Sequence, residues 1–192
     1  MPTAQLVTDT SIPMALREAA ALHPNLTVAE ALLSITNQAL ATVLLAMGID
    51  ISIDKLPDTE PSTSLQEKKT VSSISFPKKN INHSIYRHGK NCGMAILISS
   101  IQGPIDGAGI AIWGASKYPI RSRQVEAIFQ GRKMSRELII DSIATLREEI
   151  KPGGLGTVTD RSVLNEIERI GTETFLDLFD KAELVHRETS NY

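Results

Sequence analysis

One cysteine in 192 residues, Cys92, cannot close an internal disulfide, and with four histidines in the whole chain no Cys/His cluster has zinc spacing. Nor are there enough thiolates to hold an iron–sulfur cluster. A reducing compartment follows from this scarcity. An excess of one charge is lacking too. With 20 Lys+Arg against 22 Asp+Glu the net charge is −2, which leaves no electrostatic footprint for nucleic acid. Lys68-Lys69 and Lys78-Lys79 are short pairs that read as solvated strand ends. No apolar run approaches the roughly 18 residues needed to cross a bilayer. The first residues lack the basic-then-apolar pattern of a secretory signal. The chain therefore reads as cytoplasmic, with neither membrane nor nucleic acid among its partners.

What is present is ordinary for a folded, water-soluble protein: 42% hydrophobic and 22% charged residues, enough for one substantial core or two small ones. Met1 to Ser11 reads as a loose polar arm. Ile12 to Leu22 reads as a short helix closed by Pro24, with Met14, Leu16, Ala19, Ala20 and Leu22 apolar. Thr27 and Glu30 form a capping box ahead of a helix running to Met47. Its apolar face is Leu32, Leu33, Leu40, Val43, Leu44 and Met47, and Gly48 is its stop. Ile49 to Ile53 alternates as a strand, Pro57 to Gln66 is loop-like, Val71 to Phe76 is a second strand ending at Pro77, and Lys78 to Ser84 is the best linker.

In the back half, Gly93 to Ile101 and Ala108 to Trp113 are apolar strands joined through Gly-Pro-Ile-Asp-Gly-Ala, a turn composition that predicts an antiparallel hairpin. The unbroken run Met94 to Ile98 requires cover from helices. Three follow. Ser122 to Gln130 stops at Gly131. Ser135 caps Arg136 to Ile150, which gathers Leu138, Ile139, Ser142, Ile143, Leu146 and Ile150 on one side. A last helix starts at Thr159 or Asp160, with Leu164, Ile167, Phe175 and Leu178 as core. Gly153 to Gly156 is followed by no Lys-[ST] and preceded by no strand, so it reads as a connector and not a phosphate loop.

Markers fall in a distinctive order between Ala108 and Pro152. Gly114 ends a strand, Pro119-Ile120-Arg121 follows, Glu126-Ala127 lies in the short helix, Gly131-Arg132 stops it, and Pro152 follows the longer helix. This series resembles the C-terminal domain of the flavoprotein (medium) subunit of molybdenum hydroxylases, the group that includes carbon monoxide dehydrogenase and xanthine dehydrogenase. Tyr86 to Ser100 is similar to the segment entering that domain's first strand, and Asp160 to Phe179 looks like its closing helix, so the resemblance covers roughly Ser84 to Phe179. Ala39 to Pro77 fits the end of the family's FAD domain more loosely. The resemblance implies an α+β fold: a small antiparallel sheet covered by a three-helix layer over residues 78–192, preceded by a partial α/β FAD-domain remnant over residues 1–77. It also implies an oxidoreductase role in electron transfer, FAD as cofactor, and molybdenum and iron–sulfur subunits as partners. A complete member is expected to carry a further N-terminal FAD-binding portion of on the order of a hundred residues.

The family's Thr-Ile-Gly-Gly-Asn flavin loop aligns best on Thr27-Val28-Ala29-Glu30-Ala31, with Ala39 on its Asp. Both glycines, which let backbone amides approach a pyrophosphate, are absent. Glu30 would face phosphate charge, unfavourable by at least ~1 kcal/mol. Conventional FAD binding is thus in conflict with this loop. Lys90 is the residue the resemblance would place near a cofactor. Tyr86, His88 and Tyr118 are the catalytic candidates, able to border a vacated cleft; a plain charged loop leading into a strand is the favoured account of Tyr86, Arg87, His88 and Lys90. His83 has the same titration range as His88, Asp106 suits a turn, and Trp113 suits a core or cavity wall. No metal site is expected. Two other functions stay open. One is a flavin-free small-molecule enzyme, cyclase- or isomerase-like, working by shape; the other is a non-catalytic interaction subunit that exposes an apolar patch and self-associates or binds a partner.

Overall fold

A computed structural model describes residues 2–22, 25, 38–48 and 83–189. The capping box at Thr27 and Glu30, the flavin-like loop, the strands at 49–53 and 71–76, the loop at 57–66 and the division at 77/78 lie outside the described residues. The elements in chain order are α1 (Thr3–Thr8), α2 (Met14–Ala21), α3 (Ala39–Ala46), β1 (His83–His88), β2 (Gly93–Ile98), β3 (Ala108–Trp113), β4 (Ile120–Arg121), α4 (Arg123–Phe129), α5 (Arg136–Ile150) and α6 (Arg161–Thr189). The fold is α+β; the described residues form a four-stranded antiparallel sheet in the order β1-β2-β3-β4.

The hairpin expected from the turn composition is present, with Met94 opposite Ile112 and Ile96 opposite Ile110. β2 ends at Ile98, short of the expected Ile101. There Ser99 Oγ accepts from the amides of Asp106 (3.0 Å) and Gly107 (3.2 Å), and Ser100 Oγ from those of Gln102 and Gly103. These side chains offer the backbone an alternative to the ladder. The unbroken apolar runs are explained by cover on both faces. Ile85, Met94, Ile96, Ile98, Ile110 and Ile112 face the α4–α6 layer. Tyr86, Ala95, Leu97 and Ala111 face α2 and α3.

Two elements differ from expectation at the front. The polar arm contains α1, anchored by buried Leu6. The helix ending near Met47 is buried nearly all round, where a one-sided apolar face was expected: Ala39, Leu40, Ala41, Thr42, Val43, Leu44 and Ala46 are all inaccessible. A helix apolar on every side is stable only when enclosed, and α3 lies against α2, β2 and β3. Close seating depends on Gly109, where a Cβ would come within 1.8 Å of the Ala46 carbonyl oxygen.

The last two residues of the segment read as a linker, His83 and Ser84, and Tyr86, Arg87 and His88 of the charged cluster belong to the strand β1; residues 78–82 lie outside the described residues. Register pairs Tyr86 with Ala95 and His88 with Gly93. Its outer edge is covered by α2: the Tyr86 amide donates to Glu18 Oε2 (3.2 Å), and Ser84 Oγ accepts from the Ala15 amide (3.0 Å). That cover satisfies a polar edge that would otherwise be open to another chain.

The helical layer follows its sequence signals. Ser135 Oγ caps α5 by accepting from the Leu138 amide (3.1 Å), and Asp160 Oδ1 caps α6 by accepting from the Ser162 amide (2.8 Å). Gly131 takes φ +74°, the left-handed conformation that ends α4. The N-terminus of α4 is satisfied from outside the element. Glu149, buried in the last turn of α5, accepts from Ser122 Oγ and from the Gln124 amide (3.1 Å).

Candidate functional site

At one end of the sheet a cleft of about 830 Å³ opens. Its apolar wall is Ala46 and Met47 from the end of α3, Leu97 from β2 and Ala108 from β3. Its polar side is Arg121 from β4, Arg123 and Glu126 from α4 and Gln130 just after it, and Ser99 and Asp106 sit at the loop end. α4 is seven residues long and placed by Glu149, so the polar side is held by a buried carboxylate on another helix.

Glu126 organises this side. Its Oε1 accepts from the Ile110 amide (2.9 Å) and from Arg121 Nε (2.6 Å), and its Oε2 lies 3.6 Å from Arg123 Nη1. Ile110 lies beyond the two residues of β4, so the carboxylate substitutes for a missing strand carbonyl. Arg121 and Glu126 are each about nine-tenths buried, with side chains 12% and 10% exposed. Charge-assisted bonds of this kind are short and directional. Gln130 Nε2 donates to the Asp106 carbonyl (3.0 Å), which ties the loop to α4.

The residues singled out from the sequence gather at the opposite end of β1. Tyr86 is buried, and its hydroxyl accepts from Trp113 Nε1 at 3.0 Å. Burial pushes the phenol above its ordinary range, so it stays protonated at neutral pH. His88 is exposed and stacks on Tyr86, with ring centroids 6.0 Å apart. Lys90 is exposed in the β1–β2 turn, where its amide donates to Glu166 Oε1 (3.1 Å). Tyr118 lies between β3 and β4 with Lys117 Nζ 5.1 Å from its ring centroid. The structure thus brings Tyr86, His88 and Trp113 together, and none of Tyr86, His88, Lys90 or Tyr118 lines the cleft. His83 is half-buried; desolvation first, and then Lys181, lowers its pKa. Asp106 lies in the β2–β3 connection, as its residue type predicts, and also borders the cleft.

Gly93 is required at the Tyr86–Trp113 contact, because a Cβ there would come within 2.3 Å of Trp113 Nε1. Cys92 beside it is fully buried. Burial, and then the neighbouring Glu166 carboxylate, push its thiol up to about 12. Thiolate is the reactive form, so alkylation of the folded protein by iodoacetamide at pH 8 is expected to be at least about a hundredfold slower than in urea. Comparable rates in a thiol-labelling time course would show that Cys92 is accessible and ionised. Stability has a matching pH dependence. A raised acid pKa favours folding below the ordinary value of 9.0, and this contribution is lost as pH rises from there through about 12.

The cleft residues Arg121 and Glu126 were visible in the sequence only as motif markers, and nothing in the local pattern signalled Met47 or Leu97 as their neighbours. Among the described residues no group of three His, Cys, Asp or Glu could hold a metal ion, and no helix is long and apolar enough to cross a membrane. The amides of Asp106 and Gly107 at the cleft are already engaged by Ser99 Oγ, and Arg121 and Arg123 both pair with Glu126.

No family model matches the sequence, and no curated protein matches it. Solved structures resemble parts of it. Quinoline 2-oxidoreductase from Pseudomonas putida 86 aligns with a TM-score of 0.43 and 14% identity over 57% of this chain and 40% of that one. Carbon monoxide dehydrogenase from Hydrogenophaga pseudoflava, in a form lacking the Mo-pyranopterin moiety, aligns with a TM-score of 0.38 and 14% identity over 47% of this chain and 33% of that one. The cyanide-inactivated Cu,Mo-CO dehydrogenase aligns with a TM-score of 0.36 and 10% identity over 47% and 32%. The aligned part therefore spans 40% or less of each of these chains.

Proposed function

We propose that this chain is a shortened relative of the flavoprotein subunit of molybdenum hydroxylases, with an oxidoreductase-related role beside molybdenum and iron–sulfur subunits. The observation that supports it is the placement of the marker residues. Four of them occupy positions that demand their residue type. Gly114 has φ +95°, and a Cβ there would lie 2.6 Å from the Asn91 carbonyl oxygen; Gly131 ends α4 at φ +74°; Arg121 and Glu126 form the 2.6 Å pair. A resemblance resting on residues the fold needs is stronger than one resting on similar composition. In this reading Lys90, exposed beside the end of β1, is the residue that would approach a cofactor.

The test is direct. The purified chain is incubated with FAD and desalted, and its visible spectrum is recorded. Retained flavin bands at one equivalent per chain support the electron-transfer role. A colourless protein, both alone and after mixing with the molybdenum and iron–sulfur subunits of a hydroxylase, removes it.

A second reading is favoured by the cleft. Its volume and its lining, an aliphatic wall facing charged and polar side chains that could orient a ligand, suit a small-molecule site, so a flavin-free enzyme of cyclase or isomerase type would have a place to hold a reactive conformer. Tyr86, His88 and Tyr118 remain its proposed chemical groups only if the reacting molecule reaches beyond the cleft.

A further inference from the structure

We infer that the cleft between α3 and α4 is a binding site for a small organic acid, with an apolar body seated on Met47, Leu97 and Ala108 and its oxyanion held by Arg121. This goes beyond the subunit role proposed above and does not depend on flavin.

The inference starts from how Arg121 is held. Glu126 takes the Nε edge of its guanidinium at 2.6 Å, and no described residue accepts a hydrogen bond from its Nη groups. Arg121 lines the cleft. A guanidinium anchored through one edge is left with donors on the other, in the fixed fork that matches a carboxylate, sulfonate or phosphate group. Holding the side chain in place beforehand lowers the entropy lost on binding. Arg121 is 88% covered, by its 12% side-chain exposure, so an ion pair made there is less screened than one on the surface.

The charges around it favour an anion. Glu126 is already shared among the Ile110 amide, Arg121 and, at longer range, Arg123. Two guanidinium groups therefore face one carboxylate, whose Oε1 is already taken by the Ile110 amide and Arg121. The other acid in the lining, Asp106, is exposed at the loop end and is held in place there through its own backbone carbonyl. One oxyanion is what this arrangement accommodates. The facing wall of Ala46, Met47, Leu97 and Ala108 is apolar, which selects a ligand with an apolar body over a bare inorganic ion.

Two fluorescent probes with the same apolar body separate the parts of this proposal: anilinonaphthalene sulfonate, which carries an oxyanion, and N-phenylnaphthylamine, which does not. The full chain is titrated with each. The expected result is saturable binding of the sulfonate at one site per chain. Arg121→Gln should weaken the sulfonate about tenfold, the value of one charge-assisted contact, and leave the neutral probe within about twofold. Ala127→Trp, which adds bulk to the cleft from an exposed position on α4, should weaken both. Circular dichroism establishes that each variant is folded. Should Arg121→Gln not fold, Arg121→Lys replaces it, since it keeps a positive charge opposite Glu126 but lacks the free guanidinium edge, with the sulfonate weakened and the neutral probe not. The proposal is overturned by an absence of saturable sulfonate binding, by equal losses for both probes on removing Arg121, or by indifference of both to Ala127→Trp.

Discussion

Gly109→Val is expected to lower the unfolding free energy by about 3 kcal/mol, at the upper end of the cost of forcing bulk into a packed interior. The site of the clash is backbone: a Cβ at this position lies 1.8 Å from the Ala46 carbonyl oxygen and 2.8 Å from its carbon. Carbonyl groups cannot swing aside as a side-chain tip can, so α3 must move off the sheet as a unit. That displacement breaks contacts between Leu97 or Ala111 and the α2–α3 cluster and widens the cleft at Ala46 and Met47. At roughly 2–4 °C per kcal/mol for a chain of this size, the melting temperature should fall by about 6–12 °C. Gly107→Ala is the matched control, because nothing lies within 4 Å of its added Cβ; it should change stability by less than about 0.5 kcal/mol. Urea denaturation of the two variants side by side decides the matter, and equal midpoints would mean that α3 is not seated through Gly109.

The second large effect belongs to the opposite layer. Phe129→Ala is expected to cost about 3–5 kcal/mol. Phe129 is completely buried at the end of α4 and meets Phe175 of α6 with centroids 6.0 Å apart and planes tilted 31°. The loss comprises the transfer of the ring to water, the cavity left among rigid neighbours and the aromatic pair itself. Phe129→Leu keeps most of the volume and should cost less than half as much, by the tolerance of cores for size-preserving changes. A Phe129→Ala midpoint in urea within error of wild type, at unchanged slope, would show that α4 is not tied to α6 through this pair.

The helical layer was legible because its signals are local. Ser135 and Thr159 or Asp160 announce helix starts, Gly131 announces an end, and the spacing of Leu138, Ile139, Ser142, Ile143, Leu146 and Ile150 announces a buried face; the second cap is Asp160, and all of that face but the half-buried Ile143 is buried. The β2–β3 hairpin was legible for the same reason. α1 and β1 were not. In β1 the sequence His-Ser-Ile-Tyr-Arg-His looks polar, yet Ile85 and Tyr86 are both buried because the sheet is covered on both sides. Its polar members are satisfied at a distance: Ser84 meets the Ala15 amide, and Arg87 pairs with Asp177 and Glu173 on α6. No window around residue 86 contains those partners.

The cleft was the least legible part. It joins residues from Ala46 to Gln130, and its ordering group, Glu126, earns its place by bonding to the Ile110 amide sixteen positions away. Glu149 looks like one more acid on an exposed helix until α4 is laid against it.

By itself, the sequence determined an α+β chain with a hairpin, capped helices behind it, and no disulfide or zinc-spaced cluster, because periodicity, caps and residue counts act within a few positions or none. Tertiary structure alone decided that α3 is enclosed, that β1 is a strand, and that Arg121 stands over an apolar cleft. These outcomes depend on which faces meet, and the free energy of such meetings belongs to pairs of residues tens of positions apart.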